Sequence, residues 1–83
     1  MLMRRESRPL YSMYYIYVLK RNNEFYIGYT EDLRRRIKEH QKEGKISLIY
    51  YEVYLLEKLA RIRERRLKYH GSAWRALRKR INA

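Results

Sequence analysis

Two consecutive asparagines, Asn22-Asn23, separate two runs rich in β-branched and aromatic residues, and this constrains the fold more than any other feature of the chain. Residues 14–20 read Tyr-Tyr-Ile-Tyr-Val-Leu-Lys, and residues 24–29 read Glu-Phe-Tyr-Ile-Gly-Tyr. Asparagine tolerates the positive φ of a tight turn, so Arg21-Asn22-Asn23 supplies turn chemistry and the two runs become a β-hairpin. Side chains alternate across a strand, so the loop length decides which of them meet. A two-residue loop at Asn22-Asn23 pairs position 17 with 28, and one at 21–22 pairs 17 with 26. Either puts Tyr17 and Tyr26 on one face and collects Ile16, Val18, Phe25 and Ile27 on the other. A three-residue loop would part the tyrosines, and the clean apolar segregation favours the even register.

After the hairpin the periodicity changes. Thr30 is a suitable N-cap, with Glu31 and Asp32 in a first turn where acids suit the helix dipole. Leu33, Ile37 and His40 recur at helical spacing, and Gly44 marks the stop. Residues 46–54 form a third strand. From Leu55 to about Tyr69, a stripe of Leu55, Leu56, Leu59, Ala60, Ile62 and Leu67 predicts a second helix. Gly71 breaks it, and Ser72 caps a last short helix carrying Trp74, Leu77 and Ile81. The order ββαβαα indicates a small α+β domain over residues 13–83, preceded by a loose basic arm over residues 1–12.

Charge narrows the function. With 21 Lys and Arg against 9 acids in 83 residues, the formal charge is +12. Self-repulsion of that size opposes compaction and points to a polyanionic partner, of which nucleic acid is the commonest. The sequence has no cysteine, which excludes disulfides, zinc fingers and thiol catalysis. No apolar run is long enough to span a membrane, and residues 1–12 lack the apolar core of a secretory signal, so a cytoplasmic location is expected.

Five residues stand apart from simple packing. Most of the ten tyrosines suit a strand by propensity alone, and Tyr11, Tyr14, Tyr15, Tyr50, Tyr51, Tyr54 and Tyr69 need no other reason. Tyr17 and Tyr26 share a polar face. On the first helix, Arg36 and His40 sit one turn apart beside Leu33 and Ile37, where a cation and an imidazole are costly unless paired or used. Between Lys58 and the C-terminus, Glu64 is the only acid among ten Lys and Arg, and it borders the apolar stripe near Ala60 and Leu67. An ion pair with Lys68 would explain it, as would ligation of a hard divalent cation. For the cationic surface, Arg35, Lys38, Arg61, Arg65, Lys68, Arg75 and Arg78 are expected to meet phosphate, with Trp74 available to stack on bases.

Tyr15-Ile16-Tyr17 and Tyr26-Ile27-Gly28, followed by Thr30, Asp32, Leu33, Arg36 and His40, then Tyr50-Tyr51-Glu52 and the helix around Glu64, resemble the GIY-YIG nuclease superfamily. The likeness is to small stand-alone bacterial members related to the nuclease domain of the excision-repair endonuclease's C subunit, and it runs over roughly residues 13–82. It implies a three-stranded antiparallel sheet flanked by helices. It also implies hydrolysis of DNA phosphodiester bonds with Mg²⁺ or Mn²⁺ at a single site, on structured or single-stranded DNA in repair or recombination, with RNA left open as a substrate. Tyr17, Tyr26, Arg36, His40 and Glu64 match the family's catalytic positions, Glu64 as the metal ligand. Departures are Tyr15 in place of the first motif's glycine, Tyr29 where the repair branch carries lysine, and a short connection over residues 41–45. The rival readings are a non-catalytic nucleic-acid-binding module on the same fold, and a basic amphipathic helix for membranes or an acidic partner, which leaves the tyrosines, Arg36 and His40 idle.

Overall fold

The computed structural model describes residues 12–83, so the expected basic arm falls, except for its last residue, outside the described residues. The elements follow as β1 (Tyr14–Arg21), β2 (Glu24–Thr30), α1 (Leu33–Gln41), β3 (Ser47–Tyr54), α2 (Glu57–Tyr69) and α3 (Gly71–Arg80). The sheet is antiparallel throughout, ordered β2-β1-β3, giving the expected α+β architecture with β1 central.

Asn22 and Asn23 take φ of 52° and 67°, the geometry of a two-residue turn whose twist matches the strands. Tyr17 therefore opposes Gly28, Leu19 opposes Tyr26, and Val18 opposes Ile27. Even-numbered positions of β1 enter the core, where Ile16 and Val18 are fully buried with Ala60, Leu67 and Leu77. Thus α2 and α3 cover the face opposite Tyr17. Glu52, on β3, helps fix them there: Arg63 donates to both of its oxygens at 2.9–3.2 Å, and the hydroxyls of Tyr50 and Tyr54 each donate at 2.7 Å.

Three local expectations need correction. Asp32 rather than Thr30 caps α1, accepting from the Arg35 amide at 3.1 Å, while Thr30 ends β2 with its hydroxyl bonded to the Asp32 backbone. Gly71 and Ser72 lie inside α3, and the break between helices falls at His70, whose extended backbone caps both. Finally, the buried stripe of α2 reduces to Ala60 and Leu67. Leu55 and Leu56 precede the helix and Leu59 lies about 100° round from Ala60, so all three are exposed.

The Tyr17 face is only partly covered. Helix α1 lies against it without a single fully buried residue. Between α1 and β3 runs an open groove of about 700 Å³, bordered by Tyr15, Leu33, Ile37, Lys38, Leu48 and Tyr51.

Candidate active site

Strand β1 supplies Tyr17 to this half-open face. Its ring crosses directly over Gly28, where a Cβ would stand 2.3 Å from both Cζ and the hydroxyl oxygen. A side chain at position 28 would displace the phenol, so glycine is required for this close approach. The residue is only 3% exposed, and its hydroxyl lies 2.9 Å from His40 Nε2. The rings meet edge to face at 5.7 Å between centroids.

His40 comes from the last turn of α1. Burial, then the positive charges of Arg36 and Arg21, holds its pKa below the ordinary imidazole value, against the opposing pull of Glu43 and Glu39. The ring is therefore neutral at pH 7, free to keep one nitrogen as an acceptor. Arg36, one turn earlier, donates to Glu39 at 2.8 Å. Its pKa is raised first by that bond and next by the adjacent Tyr17 phenol, so guanidinium, phenol and imidazole share one small region.

Tyr26 sits on the same face but turns its hydroxyl to Glu24 at 2.9 Å, which raises its pKa. Glu64 comes from α2, behind the sheet. It lies one turn beyond Ala60 and one before Leu67, its side chain 17% exposed, and pairs with Lys68 at 3.1 Å. One turn earlier on the same helix, Arg61 lies over the Tyr29 ring at 3.9 Å. The fold thus joins Tyr17, His40 and Arg36 and sets Tyr26 on the same face, but it leaves Glu64 on α2, in the layer on the other side of the sheet.

Among the described residues, no three His, Cys, Asp or Glu side chains converge to hold a metal. A closed protein cage is therefore not what this donor set offers. One carboxylate does fit a magnesium-like ion, which keeps most of its waters and takes its remaining oxygens from substrate phosphate. Glu64 has that chemistry once Lys68 yields.

The expected phosphate-binding residues divide. Lys38, Arg65 and Arg75 are exposed. Arg35 is largely exposed but lies near Asp32 and Glu39, and Arg61 pairs with Glu57 at 3.3 Å. Lys68 pairs with Glu64, and Arg78 lies over the Phe25 ring at 4.9 Å. Trp74 packs edge-on against Phe25 at 5.3 Å as part of the core, which leaves less of its face for a base than its sequence context suggested.

One charged neighbour was missed from sequence. Arg21, assigned to the turn, ends β1 on the Tyr17 face, donates to the His40 carbonyl at 3.2 Å and lies 5.6 Å from the Tyr26 ring. Strand parity carried the signal, because positions 17, 19 and 21 share a face.

A sheet carrying two tyrosines, with a helix delivering Arg and His to the first of them, defines a class that comparison with known families identifies. The GIY-YIG catalytic domain matches residues 12–76, and the chain belongs to that family. Neither curated proteins nor solved structures gave a match. Membership points to nuclease chemistry in general and to DNA as the partner. No helix among the described residues is long and apolar enough to cross a membrane.

Proposed function

We propose that this chain is a DNA endonuclease that hydrolyses phosphodiester bonds with one Mg²⁺ or Mn²⁺, acting on structured or single-stranded DNA in the cytoplasm during repair or recombination. The observation that carries the reading is the 2.9 Å contact between the Tyr17 hydroxyl and a neutral His40, with Arg36 alongside.

In the productive arrangement the Tyr17 hydroxyl donates to His40 Nε2, leaving its oxygen lone pairs for a water proton. A standing phenolate–imidazolium pair is too costly. With the His40 pKa held below its ordinary value, an imidazolium partner for a phenolate is disfavoured. Tyr17 therefore works as a relay: it takes the water proton as its own passes to His40, and the charge separation is confined to the transition state. Arg36 binds the phosphate oxygens through its planar fork, which suits them better than an ammonium would. Tyr26 orients water or phosphate from the same face. Glu64 would hold the metal, which when bound supplies Lewis-acid neutralisation of phosphate charge.

The test is magnesium-dependent cutting of branched, flapped, single-stranded and duplex DNA by wild type, Tyr17→Phe and Glu64→Gln. Both variants should lose cleavage by orders of magnitude and keep their fold, and Glu64→Gln should bind DNA at least as tightly, since an anion near phosphate is gone. The ion pair of Glu64 with Lys68 favours a second reading, a non-catalytic binding module. That reading holds if wild type binds DNA but cuts none of the panel.

A further inference from the structure

Helix α1 carries two of the five candidate catalytic residues, yet buries none of its side chains fully. Something other than a hydrophobic seam must hold His40 against Tyr17. Arg21 fits that need. Its Nη2 donates to the His40 carbonyl at 3.2 Å, an oxygen that also accepts from the Glu43 amide at 3.0 Å, at the helix end where the dipole favours a cation. Its side chain is only 20% exposed, and its Nε is buried with no hydrogen-bond partner among the described residues. An arginine seeking water would keep that atom wet; this one is inserted between strand and helix. Its contact with the exposed Glu43 at 3.8 Å is too long and too solvated to explain the insertion.

We propose that Arg21 is a positioning residue, a strap from the central strand to the last turn of α1 that seats the His40 imidazole against the Tyr17 hydroxyl. Its catalytic consequence rests on the nuclease reading above, whereas its structural consequence does not. The same guanidinium helps keep the imidazole neutral. The groups facing His40 are Tyr17 and Arg21 from β1, Arg36 and Glu39 from α1, and Glu43 from the turn that follows. Burial and the two arginines lower the pKa, and the two glutamates raise it. Losing Arg21 removes one lowering charge and loosens the packing, and both effects move the pKa upward.

The test is NMR titration of the His40 ring, without DNA, in wild type, Arg21→Gln and Arg21→Lys, with His70 as the second histidine for reference. The glutamine variant should titrate at higher pH than wild type and lose the ring-current shifts between His40 and Tyr17. In cleavage, its kcat should fall about tenfold with KM within twofold, and the acid limb of its pH profile should move upward. Arg21→Lys keeps the charge and a donor able to reach the carbonyl, and should restore most of both. If the glutamine variant does not fold, Arg21→Met keeps the apolar stem in the seam and takes its place with the same expectations. Unchanged His40 titration and ring shifts, an effect on KM alone, or a lysine variant indistinguishable from glutamine would each overturn the strap. Absence of cutting by wild type would instead sink the nuclease reading and leave the NMR result to decide on Arg21.

Discussion

Gly28→Ala is the sharpest probe of the site, because two opposed effects can be weighed from the geometry. In an ordinary strand, alanine is favoured over glycine by roughly 0.5–1 kcal/mol. Here the new Cβ would stand 2.3 Å from Tyr17 Cζ and Oη, against a comfortable carbon contact of about 3.5–4.0 Å. The phenol must retreat by more than about 1 Å. A loose ring would do so cheaply, but this one is buried and bonded to His40. Overpacking costs about 1–3 kcal/mol and loss of the hydrogen bond about 1 kcal/mol more. After subtracting the backbone gain, net destabilisation should be about 1–3 kcal/mol, and cleavage should fall as Tyr17 leaves its place. Urea unfolding measures the first quantity. A cycle with Tyr17→Leu isolates the cause: once the ring is gone, Gly28→Ala should become neutral or stabilising, a coupling of about 1–4 kcal/mol. Additive effects, or a Gly28→Ala protein as stable and active as wild type, would refute the reasoning.

Two further outcomes are expected. Burial works to raise the Glu52 pKa, but hydrogen bonds from Arg63, Tyr54 and Tyr50 outweigh it and hold the carboxyl below its ordinary value. This contribution is present above the unfolded carboxylate pKa of about 4.3 and is lost as pH falls through the lower folded value. Glu52→Gln should destabilise by about 2–3 kcal/mol at neutral pH, less than the 3–5 typical of breaking a fully buried pair, and should flatten the fall in Tm below about pH 4.5; an unchanged acid profile would contradict it. DNA affinity should fall about 10³-fold between 50 and 200 mM salt if six cations meet phosphate, and a log–log slope shallower than about −2 would count against that surface.

What the sequence made legible followed from short-range rules. The hairpin register rested on two asparagines and a strict alternation, and nothing distant competes with either. The face shared by Tyr17 and Tyr26 came with it. Where two local solutions compete, the sequence was ambiguous: Thr30 and Asp32 are both good caps, and only the end of β2 decides that Thr30 is still strand. Leu55, Leu56 and Leu59 looked like core because a wheel cannot say where its helix starts or how much of its circumference the sheet will cover. Trp74 invited a base-stacking role, and only the packing of α3 shows its half-buried indole set edge to face against Phe25. Arg21 was hidden by its position at a turn, since its target, a backbone carbonyl 19 residues away, has no sequence signature.

The central place of β1 has a consequence for how chains of this kind can change in length. Its alternate residues carry two interleaved requirements, Ile16 and Val18 for the core and Tyr17 and Arg21 for the opposite face. One residue inserted or deleted between Tyr17 and the Asn22-Asn23 turn would exchange the two sets, driving a phenol into the apolar layer and an isoleucine toward His40. An edge strand can absorb such an indel as a bulge, and the β3 side already carries a register shift opposite Val18 and Leu19. A strand paired on both sides has no free margin. Connections such as residues 42–46 and 55–56 can take a change in length without touching either set, while β1 acts as a fixed reading frame for the fold and the site at once.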